Sequence, residues 1–220
     1  MALHNYLNYM KKGAIFDLDG TLVSTIGLHD KAWETLFKRY GIELTKQEFK
    51  EQSGRKNTIF IDLVAARRKL DLNAAKLSDE KDEIVMEMLK AKPPAIFEDV
   101  EEFLNLLKQK GVKLALATSA TSKTAPLLAH GIVSLFDEKI FAEDVSHGKP
   151  DPEIFLKAAE KLELKSEDCI VFEDAESGIE AAKRGGFYCV AKDNNLGQNL
   201  SEADLVVKNY IPKELIKLFQ

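Results

Sequence analysis

The stretch Ile15–Phe16–Asp17–Leu18–Asp19–Gly20–Thr21–Leu22 sets two carboxylates two residues apart, where a short apolar run gives way to glycine. In an extended strand, residues i and i+2 point to the same side. Asp17 and Asp19 therefore face one site at the C-terminal end of a strand read over Gly13–Leu18. Gly20 lets the chain turn sharply there. Two carboxylates aimed at one spot repel unless a cation or a proton lies between them. Oxygen-only ligands point to a hard divalent cation, and one carboxylate is then free to act as nucleophile or general acid/base. A calcium-binding helix-loop-helix also begins with spaced aspartates. It needs a third ligand, a central glycine and a closing glutamate in register, and the residues after Asp19 supply none of them.

Outward from this stretch, further apolar runs read as strands: Val112–Thr118, Lys139–Phe141, Cys169–Phe172, Tyr188–Ala191 and Leu205–Val207. Helical periodicity separates the later ones. Val100–Lys110 is stopped by Gly111, Pro152–Leu162 follows a proline-rich loop, and Ser177–Arg184 ends at Gly185–Gly186. Strand and helix in alternation imply a mostly parallel sheet covered by helices. The region from Leu28 to Lys92 breaks the pattern. It has helical stretches at Lys31–Tyr40, Thr58–Leu70 and Asp79–Lys90, no strand, and Pro93–Pro94 at its close. A helical insert here leaves the sheet just after Asp17 and Asp19 and so lies over their end of it, where open α/β sheets bind ligands.

The chain has 220 residues, 45% of them hydrophobic, enough for one core and a small accessory domain. A net charge of −5 argues against general nucleic-acid binding. No apolar run is long enough to span a membrane. Met1–Lys12, with His4, Asn5 and Asn8, lacks the apolar centre of a signal peptide. Cys169 and Cys189 sit in strand-like runs and read as buried thiols. A cytoplasmic protein is expected.

Three more strand ends carry chemistry. Thr118, with Ser119 beside it, ends the second strand. A hydroxyl there can donate to a phosphate oxygen or simply serve a turn or helix cap. Gly148–Lys149–Pro150–Asp151–Pro152 gives Lys149 a proline-stiffened origin from which to neutralise a phosphate and an aspartate together; a solvated surface lysine is the plainer alternative. Glu173–Asp174 follows a buried strand, where adjacent acids call for a cation or cap a helix N-terminus.

These four elements, in this order and at strand ends, resemble the motifs of the haloacid dehalogenase superfamily: Asp-x-Asp-Gly-Thr, a Thr or Ser, Gly-Lys-Pro-x-Pro and an acidic pair. The resemblance spans Asp17 to Asp174. It implies a Rossmann-like three-layer α/β core over residues 1–27 and 93–220, with a helical cap domain at 28–92. It further implies Mg2+ held by Asp17, the Asp19 carbonyl, Glu173 and Asp174, with Asp17 as nucleophile, Asp19 as acid/base, and Thr118 and Lys149 on the phosphoryl oxygens. His29–x–x–Ala32–Trp33 is similar to β-phosphoglucomutases and sugar-phosphate phosphatases, with His29 near the site and Trp33 in the cap. Trp33 as cap core fits equally. Gly54–Arg55–Lys56 resembles the cap's specificity loop, whose basic residue aligns with either Arg55 or Lys56. Lys81 corresponds loosely to a cap lysine, and a solvated helix face is its alternative. Ser24 departs from an aspartate common in relatives, which puts nothing catalytic in doubt.

The resemblance thus implies a phosphatase acting on a small phosphorylated sugar or polyol, with a phosphosugar mutase as the second reading. A dehalogenase has no need of Asp19. A phosphonate hydrolase needs a Schiff-base lysine in the cap and usually a different first motif. A non-catalytic homologue would lack a catalytic group, and none is missing. The implied partner is a small phosphorylated molecule, not nucleic acid or membrane, and the implied state a monomer or weak dimer.

Overall fold

The computed structural model describes residues 10–25, 27–52 and 54–219. His4, Asn5 and Asn8, which bear on the signal-peptide expectation, lie outside the described residues. The chain opens with strand β1 (Gly13–Phe16) and the short β2 (Val23–Ser24), followed by helices α1 (Leu28–Arg39), α2 (Lys46–Glu51), α3 (Asn57–Arg68) and α4 (Ala74–Ala91). β3 (Ala95–Ile96) and α5 (Val100–Gln109) lead to β4 (Lys113–Ala117), α6 (Ala125–Leu128), β5 (Glu138–Ile140) and α7 (Glu153–Lys161). β6 (Cys169–Glu173), α8 (Glu176–Arg184), β7 (Tyr188–Lys192), β8 (Leu205–Val207) and α9 (Pro212–Leu215) complete it.

Six strands form one sheet in the order β5-β4-β1-β6-β7-β8, every pair parallel. Alternation along the strands divides the core. Ala14, Phe16, Leu114, Leu116, Ile170 and Phe172 face one layer; Ile15, Ala115, Ala117, Cys169 and Val171 face the other, against α7 and α8. On the first face Phe16 and Phe172 stack at 4.4 Å between centroids, with Phe103 set edge-on to both. Such aromatic pairs add about 0.5–1.5 kcal/mol beyond the area they bury. Cys169 and Cys189 are unpaired and buried, and burial raises both thiols well above their ordinary range.

The sheet is the expected one, with a correction at its key strand. β1 stops at Phe16, not Leu18, because the Leu18 carbonyl accepts the amides of Thr21, Leu22 and Val23 at 3.3, 2.9 and 3.1 Å and winds the chain out of the sheet. Asp19 therefore stands on this turn, not on the strand. The helices between β2 and β3 begin earlier than periodicity suggests. α1 starts at Leu28, and α4 at Ala74, where Asn73 caps it by accepting the Lys76 amide at 3.0 Å. α2 was not anticipated. The spacing Thr45…Glu48 would have shown it: the Thr45 hydroxyl accepts the Glu48 amide and the Glu48 carboxylate accepts the Thr45 amide, a reciprocal cap. β2 and β3 pair antiparallel, Val23 with Ile96 and Ser24 with Ala95, so a two-stranded ribbon joins the chain's exit to the helical segment with its return. Trp33, Phe37 and Phe60 interlock at the centre of that segment.

Candidate active site

The C-terminal ends of β1, β4 and β6 converge beneath α1 and α4. Asp17 follows β1, and its amide continues the ladder to the Phe172 carbonyl at 3.0 Å. Its buried carboxylate meets the ammonium of Lys149, 2.5 Å from Oδ1, and the same ammonium lies 2.7 Å from Glu173 Oε1. Burial alone would lower the lysine; Asp17 and Glu173 overcome it and hold Lys149 charged, above its ordinary value. Burial raises the Asp17 carboxyl, against Lys149 and with help from Glu173 and Asp19. Asp174 is raised in the same way, by burial first and then by Glu173 and Asp17.

One oxygen from each of Asp17, Glu173 and Asp174 falls within 4.8 Å of the others. Three buried carboxylates served by a single lysine carry an excess of negative charge that a divalent cation would neutralise, and an all-oxygen donor set suits Mg2+. The three are not equivalent. Glu173 Oε2 already accepts the amides of Asp174 and Ala175 at 2.6 and 2.8 Å, while Oε1 holds Lys149. That carboxylate is committed to shaping its own turn and orienting the lysine. Asp174 is aimed by side chains instead, accepting Thr21 Oγ1 at 3.1 Å and Asn194 Nδ2 at 2.7 Å. Two glycines make room. A Cβ on Gly178 would stand 1.7 Å from Glu173 Oε1, and one on Gly20, whose φ is +79°, 2.2 Å from Asp174 Oδ2.

Asp19 faces the same cavity from a different setting. Its Oδ1 lies 2.7 Å from His29 Nε2, and His29 Nδ1 lies 3.0 Å from Lys81 Nζ. An ammonium only donates. Nδ1 therefore accepts, Nε2 carries the hydrogen, and the ring donates to Asp19. Burial alone would raise Asp19; His29 and Lys81 reverse this and hold it below its ordinary value. Thr118 is buried, accepts the Ala120 amide at 3.0 Å, and so keeps its hydroxyl hydrogen to give. Ser119, also lining the cavity, donates instead to the Gly54 carbonyl at 2.8 Å, a contact from the sheet to the helical segment.

A family model for haloacid dehalogenase-like hydrolases matches residues 11–186. The chain belongs to that family. A phosphorylated carbohydrates phosphatase of Thermotoga maritima is 33% identical over 220 residues, covering 95% of this chain and 98% of the relative. A validoxylamine A 7'-phosphate phosphatase of Streptomyces hygroscopicus subsp. limoneus is 35% identical over 91% of this chain and 94% of its own. Among solved structures, a β-phosphoglucomutase from Clostridium difficile superposes with a TM-score of 0.85 at 26% identity, covering 96% and 97% of the two chains.

In this hydrolase the remaining sequence candidates separate. His29, Gly54, Arg55 and Lys81 line the cavity with Asp17, Asp19 and Thr118. Lys81 is buried, not on a solvated face, its ammonium 5.2 Å from the Trp33 ring centre. Trp33 does not reach the cavity. It is core between Phe37 and Phe60, and its Nε1 donates to Gln52 Oε1 at 3.2 Å. Lys56 also turns away, donating to the Val145 carbonyl at 3.1 Å. Of the basic pair in the Gly54–Arg55–Lys56 loop, then, Arg55 faces the cavity. Sequence reasoning passed over Thr21, Asn194, Gln52, Asn57 and Asp82. Thr21 lies inside the first motif, and Asn194 just past β7, the strand-end position used to find the others. Nothing local marks Gln52, Asn57 or Asp82, which reach the cavity through tertiary packing alone.

Proposed function

We propose that this hydrolase is a phosphatase of small phosphorylated sugars or polyols, working through a phosphoryl group carried on Asp17. The observation that carries this is the unequal treatment of two carboxylates on one cavity. Asp17 is buried against the Lys149 ammonium, whereas Asp19 is held ionised by a hydrogen bond from His29. Two acids driven apart by their surroundings take separate roles. Asp17, fixed at the strand end, attacks the phosphorus in line. Lys149 and the free hydroxyl of Thr118 hold the phosphoryl oxygens, where they meet developing charge without reorganising. Asp19 gives a proton to the leaving oxygen and takes one from the water that next attacks Asp17. Its ionised state here matches the second half of that cycle. Mg2+, held by Asp17, Asp174 and the Asp19 carbonyl with Glu173 behind, would supply the positive charge that keeps Asp17 ionised and offsets its repulsion with the phosphoryl oxygens.

Residues 28–92 act as a cap over a core of 1–27 and 93–220. The cavity beneath holds about 50 Å³, far below the roughly 300 Å³ and more that ligand pockets offer. A sugar phosphate needs more room than that, which a swing of the cap on the β2–β3 ribbon would provide. Arg55 then reaches a distal substrate oxygen. Two relatives named as phosphatases match at 33% and 35% identity, which favours water as the second nucleophile. A mutase would place a sugar hydroxyl there, and the fold likeness to a β-phosphoglucomutase keeps that reading as the second. The two unpaired buried thiols suit a reducing, cytoplasmic setting.

The test is phosphate release from a panel of sugar and polyol phosphates with Mg2+, beside a mutase assay on β-glucose 1-phosphate. Asp17→Asn, free of host phosphatases, should reduce turnover to background. Wild-type-like release by that variant would sink the nucleophile assignment, and isomerisation faster than release would replace the phosphatase by the mutase.

A further inference from the structure

Asp82 is a buried carboxylate that phosphoryl transfer does not use. It sits on α4, is 5% exposed, and lines the same cavity as Asp17 and Asp19. Its Oδ1 accepts Asn57 Nδ2 at 3.1 Å and its Oδ2 accepts Thr121 Oγ1 at 2.9 Å. Each carboxylate oxygen can accept twice, so one contact apiece leaves each with capacity to spare. Asn57, from the first turn of α3, also lines the cavity. Its amide hydrogens go to Asp82 and, at 3.4 Å, to Ser78 Oγ, which leaves its carbonyl oxygen as an acceptor. Asp82 and Asn57 thus present oxygens that accept, while the cationic donors of the same cavity, Lys81 and Arg55, stand on other residues.

That chemistry selects a leaving group. A second phosphate or a carboxylate set against Asp82 and Asn57 would bring like charges together. An alkyl or aryl group would cover a buried carboxylate without satisfying it, which is unfavourable. A polyhydroxylated neutral group supplies hydroxyl donors to both residues. We propose that Asp82 and Asn57 form the hydroxyl-recognising wall of this site, and that they make the enzyme select neutral polyol and sugar monophosphates over bisphosphates and simple aryl phosphates. This rests on the phosphatase reading above and deepens it. A site built to bind a substrate hydroxyl discriminates strongly against analogues without one.

The experiment compares kcat/KM for sorbitol 6-phosphate, fructose 1,6-bisphosphate and phenyl phosphate in the wild type, Asp82→Asn and Thr121→Val. Asn at 82 keeps the volume and can still pair with both neighbours, while the anionic acceptor is gone. The ratio of sorbitol 6-phosphate to phenyl phosphate should fall about ten- to a hundredfold, the worth of a hydrogen bond to a charged group. Relative use of the bisphosphate should rise. Thr121→Val, which leaves the carboxylate in place, should shift the first ratio less than threefold. An equal loss on all substrates in Asp82→Asn would overturn the proposal and make Asp82 a structural tie between α4 and the loop after β4. A wild type that does not prefer the polyol phosphate over phenyl phosphate would instead defeat the sugar-phosphate reading beneath it. If Asp82→Asn fails to fold, Asn57→Ser removes the acceptor carbonyl from the same wall. An unchanged ratio in that variant also overturns the proposal.

Discussion

Lys149 and Asp17, 132 positions apart in the chain, bring Nζ and Oδ1 to 2.5 Å, the lysine fully buried and the aspartate nearly so. Without this ammonium, Asp17, Glu173 and Asp174 would crowd together as three buried negative charges. The lysine is therefore part of the fold as well as of the site.

Lys149→Met should abolish phosphate release and destabilise the protein at neutral pH by about 3–5 kcal/mol, the usual effect of removing one partner of a buried pair. The loss should depend on pH. Burial already raises Asp17 against the pull of Lys149, and without the lysine it rises further. Carboxyls with raised native pKa bind protons more tightly when folded, so stability is retained at low pH and lost as pH climbs above the ordinary carboxylate range. Thermal melts with chelator at pH 5 and pH 8 should show the larger deficit at pH 8. Equal deficits would contradict the charge-crowding account.

Mg2+ should raise the melting temperature of the wild type in the absence of substrate, because it binds the folded state alone. Asp174→Asn should remove most of that rise and at least about a hundredfold of activity, since Asp174 is aimed by Thr21 and Asn194 and not consumed by backbone amides. A variant stabilised by Mg2+ as strongly as the wild type would exclude Asp174 as a ligand.

Arg55 and Lys56 adjoin in sequence and diverge in space. Arg55→Ala should lower kcat/KM for the best sugar phosphate about ten- to a hundredfold, the loss of one charged contact worth roughly 1.5–3 kcal/mol. Phenyl phosphate, too short to reach it, should suffer much less. Lys56→Ala loses a hydrogen bond to the Val145 carbonyl, and should lower stability by about 1 kcal/mol with little effect on specificity. Steady-state kinetics on both substrates decides; a reversed pattern would mean that Lys56 turns inward when substrate binds.

Glu48 anchors the start of α2, with its carboxyl held at about 2, below the ordinary 4.5, by the Arg68 guanidinium and by Thr45. A carboxyl lowered in the folded state contributes stability that is present above about pH 4.5 and is lost as pH falls toward 2. Glu48→Gln should therefore reduce stability at pH 7 by about 1.5–3 kcal/mol, and the gap to the wild type should close between about pH 4.5 and 2. A gap independent of pH in denaturant titrations would show that packing, not charge, holds this cap.

Sequence alone was sufficient for the alternation of strand and helix, the helical insertion after the first strand, and the four strand-end motifs. The reason is local. Apolar runs bounded by glycine and proline set the strands, and a side chain just past a strand end is delivered to the sheet's C-terminal edge by strand direction alone. Asp17, Thr118, Glu173 and Asp174 were legible for that reason, and Lys149, well past the end of β5, by its Gly-Lys-Pro loop ahead of α7. The limits were local too. β1 ends two residues early because the Leu18 carbonyl gathers three amides, a competition between turn and ladder that alternation does not report. α2 is marked by the Thr45…Glu48 spacing rather than by apolar periodicity.

Tertiary structure decided the rest. Lys81 has the helical spacing of a surface lysine and is buried only because α4 packs across α1 and brings it to His29. Arg55 faces the cavity, whereas Lys56 leaves it to give its ammonium to the Val145 carbonyl. Asp82 and Asn57 stand 25 residues apart on separate helices and meet above a loop of the core. Side chains delivered by their own strand follow from sequence because their direction is a backbone property. Those that depend on how two helices cross do not, since the crossing is set by packing summed over the whole interface.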